Sequence, residues 1–364
     1  MQVSRYQDVL GKLLDGQARL LRKLGYIEAD WLEERLAGVA IRRPVYITGL
    51  ARSGTTILLE LLGSHPDIAT HSYRDFPLVH IPVWWNWFLN RAASRDDASV
   101  ERAHKDGIYI TAKSPEAMEE IIWMSFFADC HNPAVSNVLG SGDGSKEFEK
   151  FYRAHIRKIL LIRKGKRYLA KGNYNLTRLE YIHALFPDAL FLVPVRDPVG
   201  HIASLHKQHR LFCEAERQDV RVLNYMRRSG HFEFGLDRRA INLGQSATAR
   251  RIGDLWSEGQ EIRGLAALWS SIYGYLAELI THNRSLARQT LFVHYRDLCD
   301  SPRKLLGRIY AHCELDVDRR VIEEQAARIA APEYYRHGFN DAELAVIDEE
   351  TRDARSKIDR LRTE

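Results

Sequence analysis

Residues 49–56 read GLARSGTT and follow the apolar run PVYIT. Gly49 and Gly54 permit backbone turns closed to other residues, so that several amide N–H groups can converge on one anion. Phosphate loops of the G-x-x-x-x-G-K-[ST] type place a lysine after the second glycine, where its ammonium reaches the outer phosphates. Here Thr55 takes that place, and Arg52 sits inside the turn with a planar charge suited to bidentate contact with oxyanions. Ser53, Thr55 and Thr56 add hydroxyl donors. The chemistry on offer is anion binding without the lysine that γ-phosphate work requires.

A second candidate is VPVRDPVGHIASL, residues 193–205. Arg196 closes an apolar run, and Ser204 lies eight residues on, about two turns into a helix that opens at Pro198. Both can face one further anion, although Arg-Asp-Pro after a strand also serves simply as an ion pair at a helix start.

Both segments need a scaffold. VYIT before the loop, RYLAK (167–171), ALFLVPVR (189–196) and TLFVHY (290–295) read as strands, with GIYIT (107–111) as a further candidate. Helical spacing marks two helices over 3–38, then one from about Ser53 to His65 and another over 114–127. The run KEFEKFYRAHIRKILLIRK is helical too, as are 175–186, 198–212, 265–280, 301–314, 318–330 and 341–360. Strands alternating with helices predict an α/β, P-loop-like three-layer fold, a central parallel sheet flanked by helices, with ligands at the carboxyl ends of the strands. The chain divides into an N-terminal helical segment (1–43), an α/β domain (44–315) and a C-terminal helical segment (316–364). Residues 213–262 are read as a lid or insertion.

Taken together, the two segments resemble the sulfotransferases that use 3′-phosphoadenosine 5′-phosphosulfate (PAPS). That family grips the phosphosulfate with a P-[KR]-S-G-T-T loop, and ARSGTT departs only at Ala51. The arginine form is more similar to bacterial and tyrosylprotein enzymes than to the cytosolic small-molecule ones. The resemblance implies that Arg52, Ser53, Gly54, Thr55 and Thr56 hold the 5′ side of the donor, and Arg196 and Ser204 its 3′-phosphate. VHYRDLCDSP (293–302) looks like a later family segment and suggests Tyr295 near the adenine. Lys171, ending RYLAK, resembles the lysine that meets the transferring group. PAPS would be the co-substrate, with no metal.

The acceptor's base is less plainly marked. Cytosolic members place a histidine two residues after the lysine, where this chain has Asn173. Tyrosylprotein enzymes use a glutamate some twenty residues beyond the loop, where THSYRDFP aligns Tyr73. Asp75, two positions on, is the nearest carboxylate and the first candidate base; Glu116 is the second. Trp84, Trp85, Trp87 and Phe88, within VHIPVWWNWFLN, suit an acceptor pocket wall, a core face or peripheral membrane contact.

Composition fits this frame. Of 364 residues, 45% are apolar and 28% charged, which marks a folded chain. The net charge of +5 suits an anionic ligand without a basic tract for nucleic acid. The four cysteines lack CxxC spacing, and the histidines, including His201, His206 and His209 on one helix, lack a tight ligand spacing. A cytoplasmic enzyme transferring the sulfuryl group of PAPS to a hydroxyl of a small-molecule, carbohydrate or lipid acceptor is the expectation. An atypical nucleotide kinase or hydrolase and a non-catalytic nucleotide-binding protein remain the alternatives.

Overall fold

A computed structural model describes residues 5–92, 100–101, 109–329 and 337–361. Seven strands occur among them: β1 (Val45–Ile47), β2 (Ile68–Ala69), β3 (Val100–Glu101), β4 (Tyr109–Ile110), β5 (Arg167–Lys171), β6 (Leu190–Val195) and β7 (Thr290–His294). Five of them form one sheet in the order β2-β5-β1-β6-β7, every pairing parallel. β3 and β4 make a separate antiparallel pair. Residues 107–108 of the GIYIT run lie outside the described residues.

The strands of the five-stranded sheet are mainly apolar because both faces are covered. Val45, Ile47, Leu169, Leu190 and Leu192 pack on one side, with Leu58, Leu62, Leu305 and Ile309 from helices Thr55–Gly63 and Pro302–His312. Tyr46, Tyr168, Ala170, Phe191 and Val193 face the other side, with helices Lys146–Arg163 and Glu261–His282. Alternate residues thus serve opposite cores, as the period of two requires. Fully burying each such side chain contributes roughly 1.5–3 kcal/mol.

Register then decides the site. Ile47 pairs with Lys171 on one side and with Leu192 on the other, and Val195 pairs with His294. The carboxyl ends of β1, β5, β6 and β7 therefore lie along one rim, which carries residues 48–54, Lys171, Arg196 and Tyr295.

Two expectations change. The helix over 114–127 begins only at Glu120, because residues 112–116 pair with 71–74: Arg74 N–H donates to Ala112 O, Tyr73 N–H to Ser114 O and Glu116 N–H to His71 O. Residues 175–186 split into a 3-10 turn, Asn173–Thr177, and a helix, Leu179–Leu185. The segment 213–262 contributes Val222, Met226, Phe232, Phe234 and Ile252 to the main core.

Candidate active site

The loop after β1 is built under strain and pinned from below. Arg52 adopts φ 72°, in the left-handed region. A non-glycine residue there costs about 1–2 kcal/mol. Gly54, at φ 113°, opens the helix Thr55–Gly63, and a Cβ there would come within 3.2 Å of the Tyr295 ring. His201, wholly buried on the helix Pro198–Gln218, sits 2.8 Å through Nε2 from the carbonyl oxygen of Ala51. Burial holds its pKa down at about 3, so the ring is neutral and Nε2–H is the donor. Ser53 is also wholly enclosed, its N–H donating to Leu50 O, whereas Thr56 reaches partial exposure.

Two separate stretches meet at this loop. Arg52 Nε donates to Ser204 Oγ at 3.2 Å, across 152 residues of sequence. The Arg196 guanidinium lies 5.0 Å from the centroid of the Tyr295 ring, in cation–π contact. Asp197 caps the following helix by accepting from Val199 N–H, with Pro198 at its first turn, and this fixes where Ser204 emerges. The arrangement brings two guanidiniums, a hydroxyl and a helix N-terminus to one rim, a donor set suited to an anion with charge at two places.

A few residues along the rim is a second cluster. Lys171 Nζ, nearly buried, lies 4.0 Å from Glu116 Oε1. Burial pushes the Glu116 carboxyl up, but the Lys171 charge, the Tyr73 hydroxyl and the Ala117 N–H outweigh it and leave its pKa below the usual range. Asn173 Nδ2 donates to Glu233 Oε1 at 2.6 Å, and Glu233 Oε2 lies 3.4 Å from His231 Nδ1. Burial pulls His231 down, yet Glu233 more than compensates and its pKa rises. The result is a chain, Asn173–Glu233–His231, standing beside a Lys–Glu pair.

The two carboxylates expected as bases are placed differently. Asp75 is completely buried and accepts from Ser72 N–H, Asn86 Nδ2, Arg163 Nη2 and His71 Nδ1. Burial alone would raise its pKa; His71, Arg163 and Asn86 together hold it well below the usual carboxylate range. Its lone pairs are committed to holding a turn, and it shares none of these partners with Glu116. Glu116, in contrast, is joined to Lys171 and to the hydroxyl of Tyr73.

His201, His231 and Glu233 were not singled out as site residues from the sequence. The available signal for the latter two was HFE bracketed by Gly230 and Gly235, both at positive φ. Among the described residues, one buried group has metal-ligand types, Glu120, Cys130 and His131. Arg178 occupies both oxygens of Glu120, at 2.6 and 2.9 Å, and burial pushes the Cys130 thiol up to about 12, so this group is a packed ion pair.

Residues 44–229, just over half of the chain, match the sulfotransferase family. The nodulation protein NoeE of Sinorhizobium fredii is 28% identical over 160 residues, which cover 44% of this chain and 30% of that protein. The match therefore spans less than a third of that relative's length. Among solved structures, sulfotransferase STF9 from Mycobacterium avium shares the fold at TM-score 0.50 and 15% identity, covering 90% of this chain and 80% of its own. Sulfotransferase STF1 from Mycobacterium tuberculosis H37Rv aligns at TM-score 0.47 and 18% identity, over 92% of this chain and 82% of its own.

Proposed function

Because this chain belongs to the sulfotransferase family, we propose that its rim holds PAPS and delivers sulfuryl to an acceptor hydroxyl. The observation that carries the reading is the Arg52–Ser204 hydrogen bond beside the Arg196–Tyr295 stack. It sets donors for two anionic groups side by side without the lysine of a triphosphate loop. Bound phosphosulfate supplies the sulfuryl group and a phosphate leaving group.

In this reading Arg52, the amides of residues 54–56 and the Thr55 and Thr56 hydroxyls hold the 5′ side, where charge grows as the S–O bond breaks. Arg196 and Ser204 hold the 3′-phosphate, and Tyr295 closes the floor beneath Arg196. Lys171 neutralises the transferring group. Glu116, kept ionised at neutral pH, takes the acceptor proton. His231, oriented by Glu233, faces the same cluster and presents a donor to the acceptor. We assign Asp75 to holding the turn that carries Tyr73. The acceptor is a small molecule, carbohydrate or lipid.

Two measurements test this. Calorimetry with adenosine 3′,5′-bisphosphate should show binding where ATP–magnesium gives none; binding of ATP–magnesium alone overturns the donor assignment. Glu116→Gln should keep that affinity and lose about a hundredfold or more in turnover. Asp75→Asn leaves Arg163 without its buried partner. It should instead unfold the protein more easily, by about 3–5 kcal/mol. A reversed pattern would return the base to Asp75.

A further inference from the structure

Seven of the eleven large apolar residues exposed among the described residues fall at positions 9–31 and 87–88. They are ordered by helical spacing. On the helix Ala18–Trp31, Leu20, Ile27 and Trp31 share a face turned away from the buried Leu21, Gly25 and Glu28. On the helix Pro82–Arg91, Trp84, Trp87, Phe88 and Arg91 share another. The two faces join where the Trp31 and Trp84 rings lie 6.1 Å apart. They are backed by a buried ion pair, Glu28–Lys158 at 3.0 Å, whose carboxylate also accepts from Trp84 N–H.

From this surface we infer that the protein docks on an anionic membrane through the joined helix faces. Trp31 is 65%, Trp87 57% and Phe88 50% exposed. At about 150–250 Å² per aromatic side chain, these rings alone show roughly 300 Å² of apolar surface, the scale at which a patch is functional. Adding Leu20 and Ile27 brings the area to roughly 500 Å². Residue types favour lipid. Indoles settle at the boundary between headgroups and acyl chains, and long basic side chains at that level reach out to phosphate. Arg91 lies 3.8 Å over the Trp87 ring, and exposed Arg19 and Lys23 flank the Leu20–Ile27 stripe. Asp30 flanks it too, so the cationic margin is two to one on that helix. This is an interfacial, partly buried helix pair; no described helix is long and apolar enough to cross a membrane.

Co-sedimentation with vesicles tests the surface independently of any transfer chemistry. Wild-type protein should bind vesicles of phosphatidylglycerol and phosphatidylcholine in equal parts, bind phosphatidylcholine alone several-fold less, and weaken in high salt. Trp31→Ser and Trp87→Ser should each cost about tenfold in partitioning with the circular dichroism melt unchanged. The pair Lys23→Glu with Arg91→Glu should remove the preference for the anionic lipid. Failure of wild-type protein to sediment with anionic vesicles overturns the proposal. So does a dimer in analytical ultracentrifugation that the tryptophan substitutions dissociate, because the patch would then belong to a second copy.

Discussion

Arg52 invites a paired substitution, because two opposing effects fall on one residue. Its backbone sits at φ 72°. That conformation costs about 1–2 kcal/mol for any side chain with a Cβ and little for glycine. Its bond to Ser204 Oγ returns about 1 kcal/mol. Arg52→Ala removes the bond and keeps the strain, so it should destabilise by about 1 kcal/mol. Arg52→Gly also removes the bond but relieves the strain, offset by about 0.5–1 kcal/mol of added unfolded-chain entropy. The glycine variant should therefore be near wild type and about 1 kcal/mol more stable than the alanine variant. For a chain of this size that is about 1–3 °C in melting temperature, within reach of a fluorescence melt confirmed by urea titration. In activity the two should be alike. Each loses the guanidinium at the developing charge, on the order of 3 kcal/mol or a hundredfold in turnover of labelled donor. Equal stability of the two variants would refute the strain argument. Near-normal turnover in Arg52→Gly would refute the role given to the guanidinium.

Two further outcomes follow from the same geometry. Arg196→Ala should weaken adenosine 3′,5′-bisphosphate by about ten- to a hundredfold in calorimetry, and Ser204→Ala by about fivefold, with smaller changes for adenosine 5′-phosphate, which lacks the 3′ group. Acid should destabilise the fold well above the usual carboxylate range. His80 and His201 have pKa values of about 3 in the folded chain against about 6.5 unfolded. The unfolded state therefore binds more protons between those values, and stability falls as pH drops below about 6.5. Each contributes about 2 kcal/mol of loss at pH 5, to be read from urea titrations at pH 7 and 5. His201→Gln should flatten that slope by about one histidine's share.

Features written in local sequence were legible. The loop showed itself because glycine spacing encodes a backbone shape, and Arg196 and Ser204 because a strand followed by a Pro-started helix fixes their separation. The five-strand sheet was legible except for β2, whose two residues are too short to show a period. The Lys171–Glu116 pair was half visible. Both residues were named, but the helix expected from Ser114 hid the pairing of 112–116 with 71–74 that aims Glu116 at the rim. Asp75 looked like a base by chain position; its commitment to Arg163, 88 residues away, could not be read locally. His231 and Glu233 escaped for a similar reason, since their meaning depends on Asn173, 60 residues before Glu233.

The Arg52–Ser204 contact uses the guanidinium's Nε–H and a lone pair of a hydroxyl that keeps its own proton to donate. In the proposed reading a nucleotide is clasped at both ends with this tie intact, the tie acting as a spacer between them. Under that reading the spacer sets how far apart the two charges of a ligand must lie, which favours a nucleotide charged at both ends.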